Sequence, residues 1–407
     1  MALPSPARIL PSPGPSAAEW DLDPSVVFLN HGSFGACPRV VREAQATWRD
    51  QLEAEPVRFL TRELPPLFDA TRRELAQFLG AAPEDLVFVN NATAGVNAVV
   101  RSLDLQPGDE LITTDHDYNA CRNVLHEAAR RARARVVVVP LPLPLQNAGI
   151  VVERILAAVT PRTRLVFIDH VTSPTALVLP VEQIVRELAA RGIDCFVDGA
   201  HAPGMVPVDL TALGAAYYTG NLHKWICGPK TAGILHVRRD RHDLIQPVII
   251  SHGNNVRRPG YSALQDRFDW PGTFDPTSCL GAGVALRWGA GLLPGGWPAL
   301  MDDNHQLAVR ARRILLDRLG GEPACPESML GSMASVLLPE ALQPEGRPVR
   351  PDPLQDALLE EFGIEVPIMP WGEPLVRWLR ISAQAYNSPA QYDYLAESLG
   401  RLRDRAG

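Results

Sequence analysis

The sequence predicts an α/β protein: a mostly parallel seven-stranded sheet with helices on both faces, followed by a smaller α+β C-terminal domain. Three observations lead there. Between about residues 66 and 240, seven short apolar runs alternate with helix-like segments. Strand–helix–strand repetition implies right-handed crossovers and a sheet covered on both faces. After residue 240 the rhythm breaks at Gly, Pro and Trp, as in RFDWPGTFDPTSCLG, and a tail with its own helices follows. A chain of 407 residues is also too long for one small core, so two domains are the natural division.

Taken in order, residues 1–25 open with MALPSPARILPSPGPSAAEW, which is rich in Pro, Ser and Ala and lacks the apolar core of a signal peptide. They read as a flexible or meandering arm. The strand candidates are DLVFVNN (85–91), DELITTD (109–115), ARVVVVPL (134–141), RLVFIDHV (164–171), DCFVDG (194–199), AAYYTG (215–220) and AGILHV (232–237). Each is short and rich in β-branched or aromatic residues. Between them AGVNAVVRSL, NACRNVLHEAARRARA, VVERILAAV and VEQIVRELAARG carry apolar residues at helical spacing. The last two strand candidates lie too close for a long helix, so one strand is expected to run antiparallel. A long helix is expected over 298–320 and another over SPAQYDYLAESLGRLRD. The division is then a large domain over 26–290 and a small one over 291–407.

Composition excludes some functions. Hydrophobic residues make up 46% and charged residues 21%, which describes an ordinary globular chain. The net charge of −7 offers no electrostatic case for nucleic acid or an anionic membrane. No apolar stretch reaches bilayer-spanning length. The cysteines at 37, 121, 195, 227, 279 and 325 form no CxxC pair and no metal-ligand spacing. That pattern suits a reducing, cytoplasmic setting without a metal or a disulfide framework.

Chemistry gathers at the ends of the apolar runs, where open α/β sheets bind ligands. CFVDGAHAPG ends in Asp198 and His201, and YTGNLHKWICGPKTAGILHV carries Lys224 twenty-six residues after Asp198. Leu222, His223, Trp225 and Ile226 flank that lysine, so its ammonium is partly desolvated and its pKa falls, freeing the amine for Schiff-base chemistry. A carboxylate at a strand end can hold a pyridine nitrogen. FVNNATAGVNAVVRSL opens a helix at Thr93, and a helix N-terminus with a hydroxyl suits a phosphate, although Thr93 also serves as a plain helix cap. In DHDYNA either Tyr118 or His116 could stack on a flat ring. RLVFIDHVTSPTA adds Thr172 and Ser173 at another strand end.

These segments, with FLNHGSFG and RISAQAYN, resemble the class V aminotransferase family of pyridoxal 5'-phosphate (PLP) enzymes, fold type I. Within it they look most like the isopenicillin N epimerase-like branch. The resemblance covers nearly all of the chain after about residue 25. It implies that Lys224 forms the internal aldimine and shuttles the substrate α-proton, that Asp198 pairs with the pyridinium nitrogen, and that His201 lies near the ring phenolic oxygen. It implies phosphate contacts from Thr93, the amide of Ala94, His223 and Asn221, although the family often has Ser at the last position. Tyr118 takes the ring-stacking position, with His116 as the alternative, and Ser173 lies nearby. Thr273 in DWPGTFD matches a threonine that reaches the phosphate of a neighbouring subunit, which implies a homodimer with the active site at its interface. Arg380 resembles the arginine that grips an amino acid carboxylate, and guanidinium suits that role through two parallel hydrogen bonds. Asn30, His31 and Ser33 lie on a loop expected to close over the substrate.

The resemblance leaves the reaction open among an epimerase or racemase, a C–S lyase and an aminotransferase, in that order. Epimerisation needs a second proton donor opposite Lys224, for which Tyr118, His116, Tyr217 and Tyr218 are candidates. A persulfide-forming desulfurase would need a cysteine just before Arg380, and residues 361–380 contain none.

Overall fold

The computed structural model describes residues 9–344 and 352–406, so the first eight residues of the expected arm lie outside the described residues. Strand β1 is Val27–Phe28. Strands β2 (Leu86–Val89), β3 (Glu110–Thr114), β4 (Arg135–Val139) and β5 (Thr163–Asp169) follow. Then come β6 (Asp194–Gly199), β7 (Tyr217–Asn221) and β8 (Gly233–Val237). All seven apolar runs from 85 to 237 become strands of one sheet, ordered β2-β8-β7-β6-β5-β3-β4. Only β8 is antiparallel to its neighbours, as the short β7–β8 connection requires.

The sheet divides its side chains by alternation, because successive residues of a strand point to opposite faces. Leu86, Phe88, Val166, Ile168, Val197, Tyr218 and Ile234 enter one apolar cluster. Val87, Leu165, Phe167, Phe196, Tyr217 and Leu235 enter the other, under the helices Ala92–Ser102 and Asn119–Ala132. Both faces are therefore dry, and polar groups can gather only at the strand ends.

The C-terminal part builds a three-stranded antiparallel sheet in the order β11-β12-β9 from β9 (Met333–Leu337), β11 (Ile368–Trp371) and β12 (Val376–Ser382). Helices Gly296–Leu319 and Pro389–Ala406 accompany it. Strand β10 (Ile364–Glu365) pairs in parallel with β1, and Ser382 donates its N–H to the carbonyl of Leu29 at 3.0 Å. The N-terminal loop thus hangs on the C-terminal part while reaching toward the main sheet. We propose that the division between the two units falls near residue 290, at the turn between helices Thr277–Leu292 and Gly296–Leu319.

The described residues of the arm are packed down rather than meandering. Pro15–Glu19 forms a 3-10 turn and Gly14 N–H donates to the Tyr386 carbonyl at 2.8 Å. Trp20 is buried, donates Nε1–H to the Ala36 carbonyl at 3.2 Å, and meets Trp288 and Tyr386 edge-on at 5.0 Å. One indole supplies more burial than the prolines and serines around it suggest. Trp20→Ala is expected to cost about 3–5 kcal/mol of stability, read as a lowered urea midpoint, and Trp20→Phe distinctly less.

Candidate active site

A cavity of about 230 Å³ opens at the carboxyl ends of the parallel strands, and Lys224, Asp198, His201, Asn221 and Thr93 all line it. Lys224 follows β7 in a turn closed by Cys227 N–H on its carbonyl at 2.9 Å. Burial, then the nearby Arg380 cation, lowers its pKa to about 7. Its Nζ lies 3.0 Å from His201 Nε2, while Trp225 Nε1–H donates to His201 Nδ1 at 3.3 Å. With Nδ1 accepting, a neutral His201 carries its proton on Nε2, and that N–H needs a lone pair on Lys224. The pairing therefore describes a neutral amine. Burial also pushes His201 well below the usual imidazole range, which agrees.

Asp198 sits near the end of β6 with both oxygens occupied. One accepts from Ala200 N–H at 2.9 Å and the other from the Cys121 thiol at 3.3 Å. Burial raises its pKa against these donors and the charge of Lys224. Also lining the cavity, Asn91 caps the helix Ala92–Ser102 by accepting from Ala94 N–H at 2.9 Å. The Asn221 side chain accepts from Ala92 N–H at 2.8 Å, tying the end of β7 to the same helix start. Gly95 lets the helix come this close, since a Cβ there would lie 2.3 Å from Thr219 Oγ1. His223 lines the cavity with Nδ1 held 3.1 Å from the Ala232 carbonyl, and burial lowers its pKa to about 4.

Arg380, on β12, is 2% exposed and forms no ion pair among the described residues. It donates to the Ser173 carbonyl at 2.5 Å, Ser33 Oγ at 2.9 Å and Asn30 Oδ1 at 3.3 Å, while its Nε–H has no partner. Burial lowers its pKa to about 10. A buried guanidinium without a carboxylate of its own is costly, and a substrate carboxylate would satisfy it.

The sequence-predicted residues do not all meet at this cavity. Tyr118, Ser33 and Ser173 line it together with the groups above. Ala94 does not; its N–H is spent on the Asn91 cap, leaving Ala92 and Thr93 at the wall. His31, expected over the substrate, is fully buried, with Nδ1 at 2.9 Å from Tyr386 Oη and Nε2 at 3.0 Å from the Lys224 carbonyl, so it braces the lysine backbone. Asn30 supports Arg380 from behind. His116 is buried against Trp371 and bonded to Thr175, which leaves Tyr118 as the residue placed for a ring. Thr172 is likewise turned inward to Thr175 and Leu177. Tyr217 and Tyr218 lie in the core, Tyr218 bonded to His170, so neither faces the cavity. Thr273 is exposed and is not part of this chain's own cavity wall.

Sequence reading missed Asp169, Asn91 and Phe34, which also line the cavity, and Asp117 and Cys121 behind it. Asp169 carried the same signal as Asp198, a carboxylate closing an apolar strand. Phe34 gave none, because only the folded loop brings it to the mouth.

The donor set fits PLP. There is an amine with a lowered pKa, a buried carboxylate for a ring nitrogen, a helix start with Thr93 for a phosphate, and an aromatic side chain at the mouth. The Aminotransferase class-V family model matches residues 26–321, and the chain belongs to that family. It is a PLP-dependent enzyme. It is 35% identical over 406 residues to isopenicillin N epimerase of Streptomyces clavuligerus, covering 95% of this chain and 99% of that protein. It is 31% identical over 410 residues to a probable chloroplastic L-cysteine desulfhydrase of Arabidopsis thaliana, covering 94% and 84%. Among solved structures, a C-DES mutant with glycine covalently linked to its PLP cofactor has a TM-score of 0.77 at 22% identity, covering 93% and 96%. That last likeness shows the shared fold.

PLP uptake by the cofactor-free chain should follow the neutral amine, so its rate should rise with pH through about 7. An ordinary lysine would place that rise near about 10.4. Removing the neighbouring cation in Arg380→Gln should shift the midpoint upward, measured by stopped-flow absorbance.

Proposed function

We propose that the chain is an epimerase or racemase acting at the α-carbon of an amino acid or small peptide, with an activity like that of the isopenicillin N epimerases. The observation that carries an amino acid substrate is Arg380, a buried guanidinium without a counter-ion among the described residues, beside the Lys224 amine. Matching an epimerase over 99% of its length favours this reaction among those the family offers.

PLP, when bound, supplies the electron sink at the α-carbon. In this reading Arg380 holds the α-carboxylate, steadied by Asn30, Ser33 and Ser173. Lys224 takes the α-proton on one face, and Tyr118 returns a proton on the other. Asp198 serves the ring nitrogen and His201 the ring's phenolic side while keeping the amine uncharged. Thr93, His223 and Asn221 gather round the phosphate, whose charge would draw a proton onto His223 Nε2. In this reading the working unit is a homodimer with its site at the interface, and Thr273, exposed in the single chain, serves the partner's phosphate. All six cysteines are free, which suits a cytoplasmic setting. Among the described residues no helix is long and apolar enough to cross a membrane.

A second reading, a β-eliminating C–S lyase, is favoured by the desulfhydrase relative at 31% identity. It needs the same α-proton removal plus a leaving group.

Lys224→Ala should lose the visible absorbance of the cofactor-loaded protein; an unchanged spectrum would sink the assignment of the lysine. In deuterated water, deuterium at Cα with inverted configuration and no pyruvate or ammonia selects the epimerase, and released pyruvate and ammonia select the lyase. Tyr118→Phe should slow inversion by about 10²-fold or more, the range of a general acid, while exchange with retention through Lys224 persists. Equal loss of both would remove Tyr118 from the second face.

A further inference from the structure

The cavity carries a second carboxylate that the reading above does not use. Asp169 ends β5 directly opposite Asp198 of β6 in the parallel register. Asp117, three residues beyond the end of β3, lies behind them and accepts from Asp169 N–H at 3.0 Å. Asp117, Asp169 and Asp198 are 2%, 3% and 2% exposed. No arginine pairs with any of them among the described residues. Like charges this close in a dry site do not all ionise, so the group keeps a proton.

The hydrogen bonds decide where that proton sits. Asp198 uses both oxygens as acceptors, from Ala200 N–H and the Cys121 thiol. Asp117 accepts from Thr113 Oγ1, from Thr114 N–H at 2.7 Å and from Asp169 N–H. Donors on both oxygens favour the ionised form. The backbone amides of Ser173 and Tyr118 lie near Asp169 and favour its ionised form, yet among the described residues its buried Oδ1 has no partner. Among the described residues no fully buried oxygen of Asp117 or Asp198 is left without a partner in this way, and Asp169 belongs to the cavity wall.

We propose that Asp169 is a positioning residue that bears the proton of this carboxylate group. By holding it, Asp169 leaves Asp198 ionised for the ring nitrogen. Lying beside the backbone of Tyr118 and Ser173, it also helps to set the ring-facing residue and the carbonyl that anchors Arg380. The titratable groups facing Asp169 are Asp117, Asp198, Cys121 and Lys224. Burial, with the charges of Asp117 and Asp198, pushes its pKa well above the carboxylate range, in agreement. The role assigned to Asp198 rests on the PLP reading; the location of the proton does not.

Infrared spectra of the cofactor-free protein at pH 7 should show the C=O stretch of a carboxylic acid, sensitive to deuterium exchange. The band should vanish in Asp169→Asn and persist in Asp198→Asn. Absence in the native chain, loss in both variants, persistence in both, or loss only in Asp198→Asn would each overturn the proposal. Neutron diffraction on the native chain needs no variant: a deuteron on Asp169 Oδ1 is expected, and one on Asp198 or on neither refutes it. Because the folded chain holds this proton more tightly than the unfolded one, its stabilising effect is complete at low pH and lost as pH rises. Asp169→Asn should therefore gain stability relative to the native chain between pH 4 and pH 8, and a parallel pair of curves would contradict this. Asp169→Ala should also bind PLP about tenfold more weakly, because the proton then falls to Asp198 or Asp117 and the wall beside Tyr118 and Ser173 loses its side chain. Failure of the Lys224→Ala absorbance test would sink the cofactor roles and leave the infrared and neutron results standing.

Discussion

The contact between Lys224 Nζ and His201 Nε2, at 3.0 Å, sets the protonation of the cavity around it. Trp225 occupies the other imidazole nitrogen, so the histidine can only donate toward the lysine. A donating partner, burial and the Arg380 cation all act in one direction, toward an uncharged amine. The lysine is then a nucleophile near neutrality without a dedicated base. Its position is set from behind, where His31 holds the Lys224 carbonyl and Tyr386 holds His31.

The same desolvation explains why charges here are few and uncompensated. Both faces of the seven-stranded sheet are apolar, so carboxylates at the ends of β5 and β6 face each other with little water. Arg380 enters from the other sheet and is held by neutral groups alone, from Ser33, Asn30 and Ser173. A site built this way is poised for a ligand that brings its own carboxylate, phosphate and aromatic ring. Each part of such a ligand satisfies a group that the protein leaves open.

Much of this was legible in the chain. The seven runs were readable because each is short, apolar and followed by turn chemistry, and the lack of room for a long helix between the last two showed that one strand reverses. Lys224, Asp198, His201 and Thr93 were readable because open sheets present their ligands at strand ends. The arm was misjudged because composition counts prolines and serines, whereas the packing of Trp20 depends on Trp288, far along the chain. His31 was misassigned for a related reason: a histidine in a loop motif looks like a ligand contact until its partners, Lys224 and Tyr386, are in place.

The sequence by itself determined the α/β class, the strand-end chemistry and the family, since these follow from local patterns of apolar and polar residues. Only the tertiary structure decided which polar residues share a cavity. Ala94 and Thr172 sit at strand ends as much as Thr93 and Ser173 do, yet their backbone or side-chain groups are consumed locally. Asp169 became part of the site because β5 and β6 align in register, which no single segment encodes. The physical reason is that protonation and hydrogen-bond capacity are settled between neighbours in space. For Arg380 those neighbours lie some 350 residues away, at Asn30 and Ser33.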